Sequence, residues 1–105
     1  MEINIAKDFT DAPGGRYKSD GKFSGEEFRL KYLEPALKEE NNKEITINLD
    51  GTFGFPPSFL EEAFGGLARI KGIKKEDILK RLKFISNEEP FLITKIHQYI
   101  KEAND

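Results

Sequence analysis

Between Glu44 and Asp50 the side chains alternate without a break: Ile45, Ile47 and Leu49 fall on one side, Thr46, Asn48 and Asp50 on the other. A period of two is the mark of a half-buried strand. A strand covered by helices on both faces would read as a continuous apolar run. The polar face therefore predicts a sheet whose helices lie mainly on one side. Ile3 and Ile5 repeat the pattern briefly, and Phe84-Ile85-Ser86 is a third candidate strand.

Helical spacing separates these strands. Ser24 with Glu27 forms a capping box, in which the hydroxyl accepts a backbone N–H and the carboxylate reaches back. Phe28, Leu33, Ala36 and Leu37 follow at helical intervals, Pro35 predicts a kink or a restart, and the helix is expected to fade at Asn41-Asn42. Ser58 with Glu61 reads as a second capping box, ahead of Phe59, Leu60, Ala63, Phe64 and Leu67. Gly65-Gly66 inside that helix costs about 2 kcal/mol against two alanines, which a close backbone contact with the sheet or a partner would offset. Lys74 to Lys83 reads as a short basic helix, and Pro90 suits the first turn of a last one carrying Leu92, Ile96 and Ile100. Residues 8–25, rich in Gly and Asp, read as loop with a brief strand at Gly15 to Lys18.

Composition narrows the function. At 105 residues, 37% hydrophobic with nine Phe, the chain is one domain over 1–105 with a core of its own. No cysteine is present, so disulfides, thiolate nucleophiles and zinc ribbons are excluded. His97 is the only imidazole and reads as a surface residue, and no Gly-Lys-Ser/Thr string supports a phosphate-binding loop. Seventeen basic against nineteen acidic side chains argue against a general polyanion binder. The basic segment 69–83 holds Arg69, Lys71, Lys74, Lys75, Lys80, Arg81 and Lys83. Glu76 and Asp77 dilute it, so a nucleic-acid accessory role ranks below a solvated helix face. With no membrane-length apolar run and no signal-peptide layout at Met1-Glu2-Ile3, the expectation is a cytoplasmic chain.

Several strings carry a family resemblance. Gly15-Arg16, Asp20-Gly21, Ser24-Gly25-Glu26, Phe28-Arg29 and Leu33-Glu34-Pro35 form its first half. Leu49-Asp50-Gly51-Thr52, Gly54-Phe55 and the run from Ser58 to Leu67 form its second. Together, across about residues 15 to 70, they resemble the bacterial STAS-like domain of unknown function. The wider STAS group includes anti-sigma factor antagonists and cytoplasmic domains of sulfate transporters. The resemblance implies an α/β layer fold with a mixed sheet of about four strands and helices largely on one face. In the antagonists a partner kinase phosphorylates a serine after a central strand, and Ser58 occupies the equivalent place. Those proteins carry Asp-Ser-Ser-Gly there, where this chain has Pro56-Pro57-Ser58-Phe59.

The expected function is a regulatory protein–protein interaction module without cofactor, metal or catalysis, its partner a kinase-like ATPase or another regulator. Asp50, Phe53, Phe55, Ser58, Phe59, Glu62, Gly65 and Gly66 are the candidate partner-binding residues, with Ser58 a helix cap or a phosphosite. Arg16, Ser24 and Arg29, beside Asp20, Glu26 and Asp50, are either an anion pocket or an Arg–carboxylate pin on the long loop. Asp50, Glu61 and Glu62 are carboxylates without an accompanying nucleophile and orienting base, so acid–base work has little support.

Overall fold

The computed structural model describes residues 1–39 and 43–104. One sheet holds the strands β1 (Glu2–Asn4), β2 (Ile45–Asn48) and β3 (Leu82–Ile85) in the order β1-β2-β3, both pairs parallel. Ile3 stands opposite Ile47, and Ile47 opposite Phe84. The expected mixed sheet of about four strands is thereby corrected to three strands, all parallel. The reason lies in the connections. Parallel neighbours need a crossover of a dozen residues or more, and helical chain separates each strand here from the next. The Gly15 to Lys18 stretch adds no strand; it leads into a 3-10 turn at Lys18–Asp20.

The one-sided arrangement is corrected too: helical segments are not confined to one face of the sheet. Ile3, Ile45, Ile47 and Leu82 form the buried row, and the opposite row of Asn4, Thr46, Asn48 and Ile85 is itself half-buried.

Among the described residues, a π-helical turn at Ile5–Phe9 follows β1 directly, and four longer helices complete the core. Helix α1 spans 25–38, with a π-helical stretch at Arg29–Leu33 and an α-helical restart at Glu34–Lys38. Pro35 lies in the first turn of that restart, so its missing N–H falls where the wider turn already breaks the ladder. The expected fading at Asn41-Asn42 lies outside the described residues. Helix α2 spans 57–68 with a π-helical stretch at Glu61–Gly65; α3 is Lys75–Arg81 and α4 is Phe91–Glu102. Phe28, Phe59 and Phe64 are fully buried between α1 and α2, with ring centroids 6.1 and 6.3 Å from Phe28. Phe64 meets Phe84 edge-on at 5.5 Å, which carries the aromatic packing onto the sheet. Gly25 permits the close crossing of the two helix starts, since a Cβ there would sit 2.3 Å from the Phe59 carbonyl oxygen.

The two serine caps fare differently. Ser24 is buried and accepts the Glu27 N–H at 3.1 Å, while the Glu27 carboxylate takes the Phe23 N–H rather than that of Ser24. Ser58 caps nothing. Helix α2 begins two residues earlier than a Ser58 cap requires, with Pro56 at the cap position and Pro57 as its first residue. Proline suits that position because its missing N–H would have had no helical partner and its φ is preset.

Two further residues depart from expectation. Arg81 reads as part of a basic surface, yet it is buried and donates to the carbonyls of Ala36, Leu37 and Lys43 at 3.4, 2.8 and 3.2 Å. A cation at a helix C-terminus satisfies orphan carbonyls and complements the macrodipole. His97 is half-buried with its ring edge-on to Phe84 at 5.8 Å. Burial first, then the charges of Lys101 and Lys83, pushes its pKa below the ordinary imidazole value.

Two outcomes are expected. Arg81→Met lowers the unfolding free energy in urea by about 2 kcal/mol, the worth of a charged donor to buried carbonyls. Because the folded His97 pKa is depressed, its stabilising effect is full above the unfolded value of about 6.5 and is lost as pH falls below it. A His97→Gln variant therefore shows a flatter fall of melting temperature between about pH 7 and pH 5 than the wild type.

Candidate functional site

Two regions contain the residues singled out by the sequence. The first is an ion-paired seam between α1 and α2. Arg29 on α1 donates through Nη1 to Glu62 Oε2 at 2.6 Å and to the Glu62 carbonyl at 2.8 Å, and through Nε to Glu34 Oε2 at 3.0 Å. The side chains of Arg29 and Glu62 are 12% and 10% exposed, so the pair is nearly removed from water. Arg16, from the long loop, binds Glu61 Oε1 and approaches Glu62 Oε1 at 3.4 Å. Arg69 closes the set with a two-pronged contact on Glu61, at 2.7 and 3.1 Å.

Local structure explains how consecutive glutamates serve one cluster. Glu61 and Glu62 begin the π-helical stretch of α2, whose wider turn shifts the helix face and lets both carboxylates reach the arginines. The glycine pair that follows gives the guanidinium room. A Cβ on Gly66 would lie 2.3 Å from Arg29 Nη1, and one on Gly65 would lie 2.6 Å from Glu61 Oε2. The contact that offsets two helical glycines is thus with Arg29 and Glu61, rather than with the sheet. The Arg69 hydrogen bond, then that of Arg16, holds the Glu61 carboxyl below the usual carboxylate range against the opposing effect of burial.

Of the two readings of Arg16 and Arg29, the geometry selects the pin. Free N–H groups at the start of α1 would be the natural seat for an anion, but the chain fills that seat itself. Gly25 N–H donates to the Gly15 carbonyl at 2.9 Å, Glu26 N–H to the Arg16 carbonyl at 3.0 Å and Glu27 N–H to Ser24 Oγ. Asp20 and Glu26 are used locally, accepting from the Tyr17 and Lys18 N–H groups. Asp50 is in the other region altogether.

That second region is formed by the loops leaving the carboxyl ends of the strands, where open parallel sheets present their ligand sites. Asp50 accepts the Asn87 and Glu88 N–H groups at 3.2 and 3.0 Å, and Gly51 N–H returns a bond to Glu88 Oε1 at 2.8 Å. Phe53 N–H donates to the Asp11 carbonyl at 2.8 Å, and Gly54 N–H to Thr52 Oγ1 at 3.3 Å. Gly51 and Gly54 adopt φ of 93° and 121°, a left-handed geometry that favours glycine. The loop is pinned on every side, yet the Phe53 side chain is 88% exposed. Phe91, at the start of α4, is 60% exposed.

The candidate partner-binding residues therefore divide. Phe53 lies in solvent; Asp50, Phe55 and Ser58 are half-buried; Phe59, Glu62, Gly65 and Gly66 are interior. That last group is corrected from surface to core and seam. Phe55 packs on Phe59 with centroids 5.7 Å apart. Phe91, missed in the sequence reading, carries a weak signal: an aromatic directly after the proline that starts a helix, off the apolar stripe of Leu92, Ile96 and Ile100. A cavity of about 10 Å³ beneath the loops, lined by Leu49, Phe55, Ser86 and Leu92 among others, has room for little more than one water. Among the described residues, no group of three or more His, Cys, Asp and Glu could hold a metal ion, and no helix is long and apolar enough to cross a membrane.

Residues 24–91 match the family described as STAS-like domain of unknown function (DUF4325). The match takes in α1, α2, all of β2 and β3 and most of both clusters, Arg16 and Asp11 lying before it, and the chain belongs to that family. No curated protein and no solved structure matches the chain.

Arg29→Met leaves Glu62 only its longer contacts with Arg16 and Arg69, at 3.4 and 3.7 Å, and is expected to lower the unfolding free energy by about 2 kcal/mol in urea titrations. Adding Glu62→Leu to it recovers part of that loss, because the under-compensated carboxylate is gone. Gly66→Ala is also destabilising, against the gain in helix propensity, because the methyl displaces the Arg29 guanidinium.

Proposed function

We propose that this chain is a non-catalytic regulatory module that docks a protein partner on the loops at the carboxyl ends of β2 and β3, with Phe53 as the anchor. The observation that carries the reading is Phe53 itself: a large aromatic in water on a loop whose amides are held by Asp11, Thr52 and Glu88. Leaving an aromatic ring in water gives up the stabilisation of burying it. A loop ordered in advance loses little entropy on binding, and aromatic anchors commonly dominate interface energy. Membership of a STAS-like family supports a regulatory role.

A kinase-like ATPase is the finer partner assignment, drawn from the likeness to anti-sigma factor antagonists. Ser58 supports it by position, half-buried in the first turn of α2 and three residues beyond Phe55. A phosphate there would bring about two negative charges close to Glu61 and Glu62. Neither an anion-sensing nor a nucleic-acid role gains comparable support. The α1 start is capped by the chain's own oxygens, Arg69 and Arg81 are bound internally, and Lys75 donates to the Lys101 carbonyl at 3.0 Å.

Capture from native lysate tests the reading with the wild type, Phe53→Ala and Phe55→Ala in parallel. Phe53→Ala keeps its unfolding free energy within about 0.5 kcal/mol of the wild type and loses the captured partner. Phe55→Ala, which packs on Phe59, loses about 1–2 kcal/mol of stability. A partner retained in full by Phe53→Ala would remove the anchor.

A further inference from the structure

We infer that the segment docking on Phe53 is cationic, a stretch of partner protein with lysines or arginines around an apolar residue. This rests on the docking reading above and adds the chemistry of the occupant. Residues 5–12, 49–56 and 86–90, the stretches that leave the three strands at their carboxyl ends, carry Asp8, Asp11, Asp50, Glu88 and Glu89 against a single cation, Lys7. Phe53 is displayed on the second of these stretches, and Phe91 directly after the third.

These carboxylates, like several others among the described residues, lack a paired counter-charge. Glu27, Glu34, Glu61 and Glu62 each have a lysine or arginine within 4.0 Å. None of the five at the strand ends forms a salt bridge with a described residue. Asp8, Asp50 and Glu88 accept backbone N–H groups, which holds them in place without neutralising them. The chain's arginines are committed elsewhere: Arg16, Arg29 and Arg69 to the seam, Arg81 to helix carbonyls. A surplus of negative charge on the segments that display an exposed aromatic is complementary to a positive, apolar-tipped segment, and such complementarity raises the encounter rate and rejects acidic partners.

The test uses the full chain and two synthetic peptides that share a Leu-Phe centre, one flanked by Lys and Arg, the other by Asp and Glu. Amide resonances of the protein are followed at about 30 mM and about 300 mM salt, since screening shortens several-fold across that range. The cationic peptide is expected to shift Gly51, Phe53, Gly54 and Glu88, with affinity falling about ten-fold at the higher salt. Asp11→Asn combined with Glu89→Gln weakens that binding at low salt while the chain stays folded, and the acidic peptide shifts nothing. Equal binding of the two peptides, no binding of either, or shifts confined to another face would overturn the inference. Should Phe53→Ala lose the lysate partner while the peptides bind alike, the anchor stands and the cationic partner falls. Should Phe53→Ala keep full cationic-peptide binding, the anchor falls. Sedimentation velocity completes the test: salt-sensitive self-association lost in Phe53→Ala would replace the partner protein with a second copy of this chain.

Discussion

The Arg29–Glu62 pair is the constraint around which the helical layer is arranged. It joins α1 to α2 through two side chains nearly removed from water, with Glu34 on one flank and the more exposed Arg16, Glu61 and Arg69 on the other. A buried pair of this kind adds little net stability over an apolar contact, but it penalises any arrangement that leaves either charge unmatched. Its effect is therefore on register. Both helices depart from α geometry within it, at Arg29–Leu33 and Glu61–Gly65, and Gly66 is the residue that admits the guanidinium.

The seam also decides what the rest of the surface is free to do. Arg16 ties the long loop onto α2, and two carbonyls of that loop then cap α1. The features that suggest an anion pocket are thereby consumed in holding the protein together. The carboxyl ends of the strands differ. Hydrogen bonds there link the loops after β1, β2 and β3 into one rigid edge, and that edge is left with exposed rings and uncompensated carboxylates.

A sheet of three short parallel strands with one polar row is unusual, because parallel sheets are ordinarily buried on both faces. The alternation in β2 predicts helices mainly on one side of the sheet, and the mixed strand directions come from the family resemblance. Alternation reports burial, and burial does not specify strand direction; direction follows from the connections, each of which is helical and long enough to cross over. The element order β, α, β, α, short α, β, α held that information, and reading it alone would have predicted the parallel sheet.

The sequence by itself determined the mixture of helices and strands, the approximate positions of the main elements, the Ser24 cap and the family, because periodicity, caps and motif strings are local properties of a chain; it left open the number and direction of the strands. It did not determine which of two serines caps a helix, since Pro56-Pro57 changed where α2 begins. Nor could it separate Phe53 from Phe59, six residues apart and alike in chemistry, one in water and the other fully buried. Burial, charge pairing and exposure are set by residues distant in the chain: Glu62 meets Arg29, Asp50 meets Glu88, and Arg81 meets Leu37. Only the tertiary structure brings those together, and with them it chose the seam as scaffold and the strand ends as the open face.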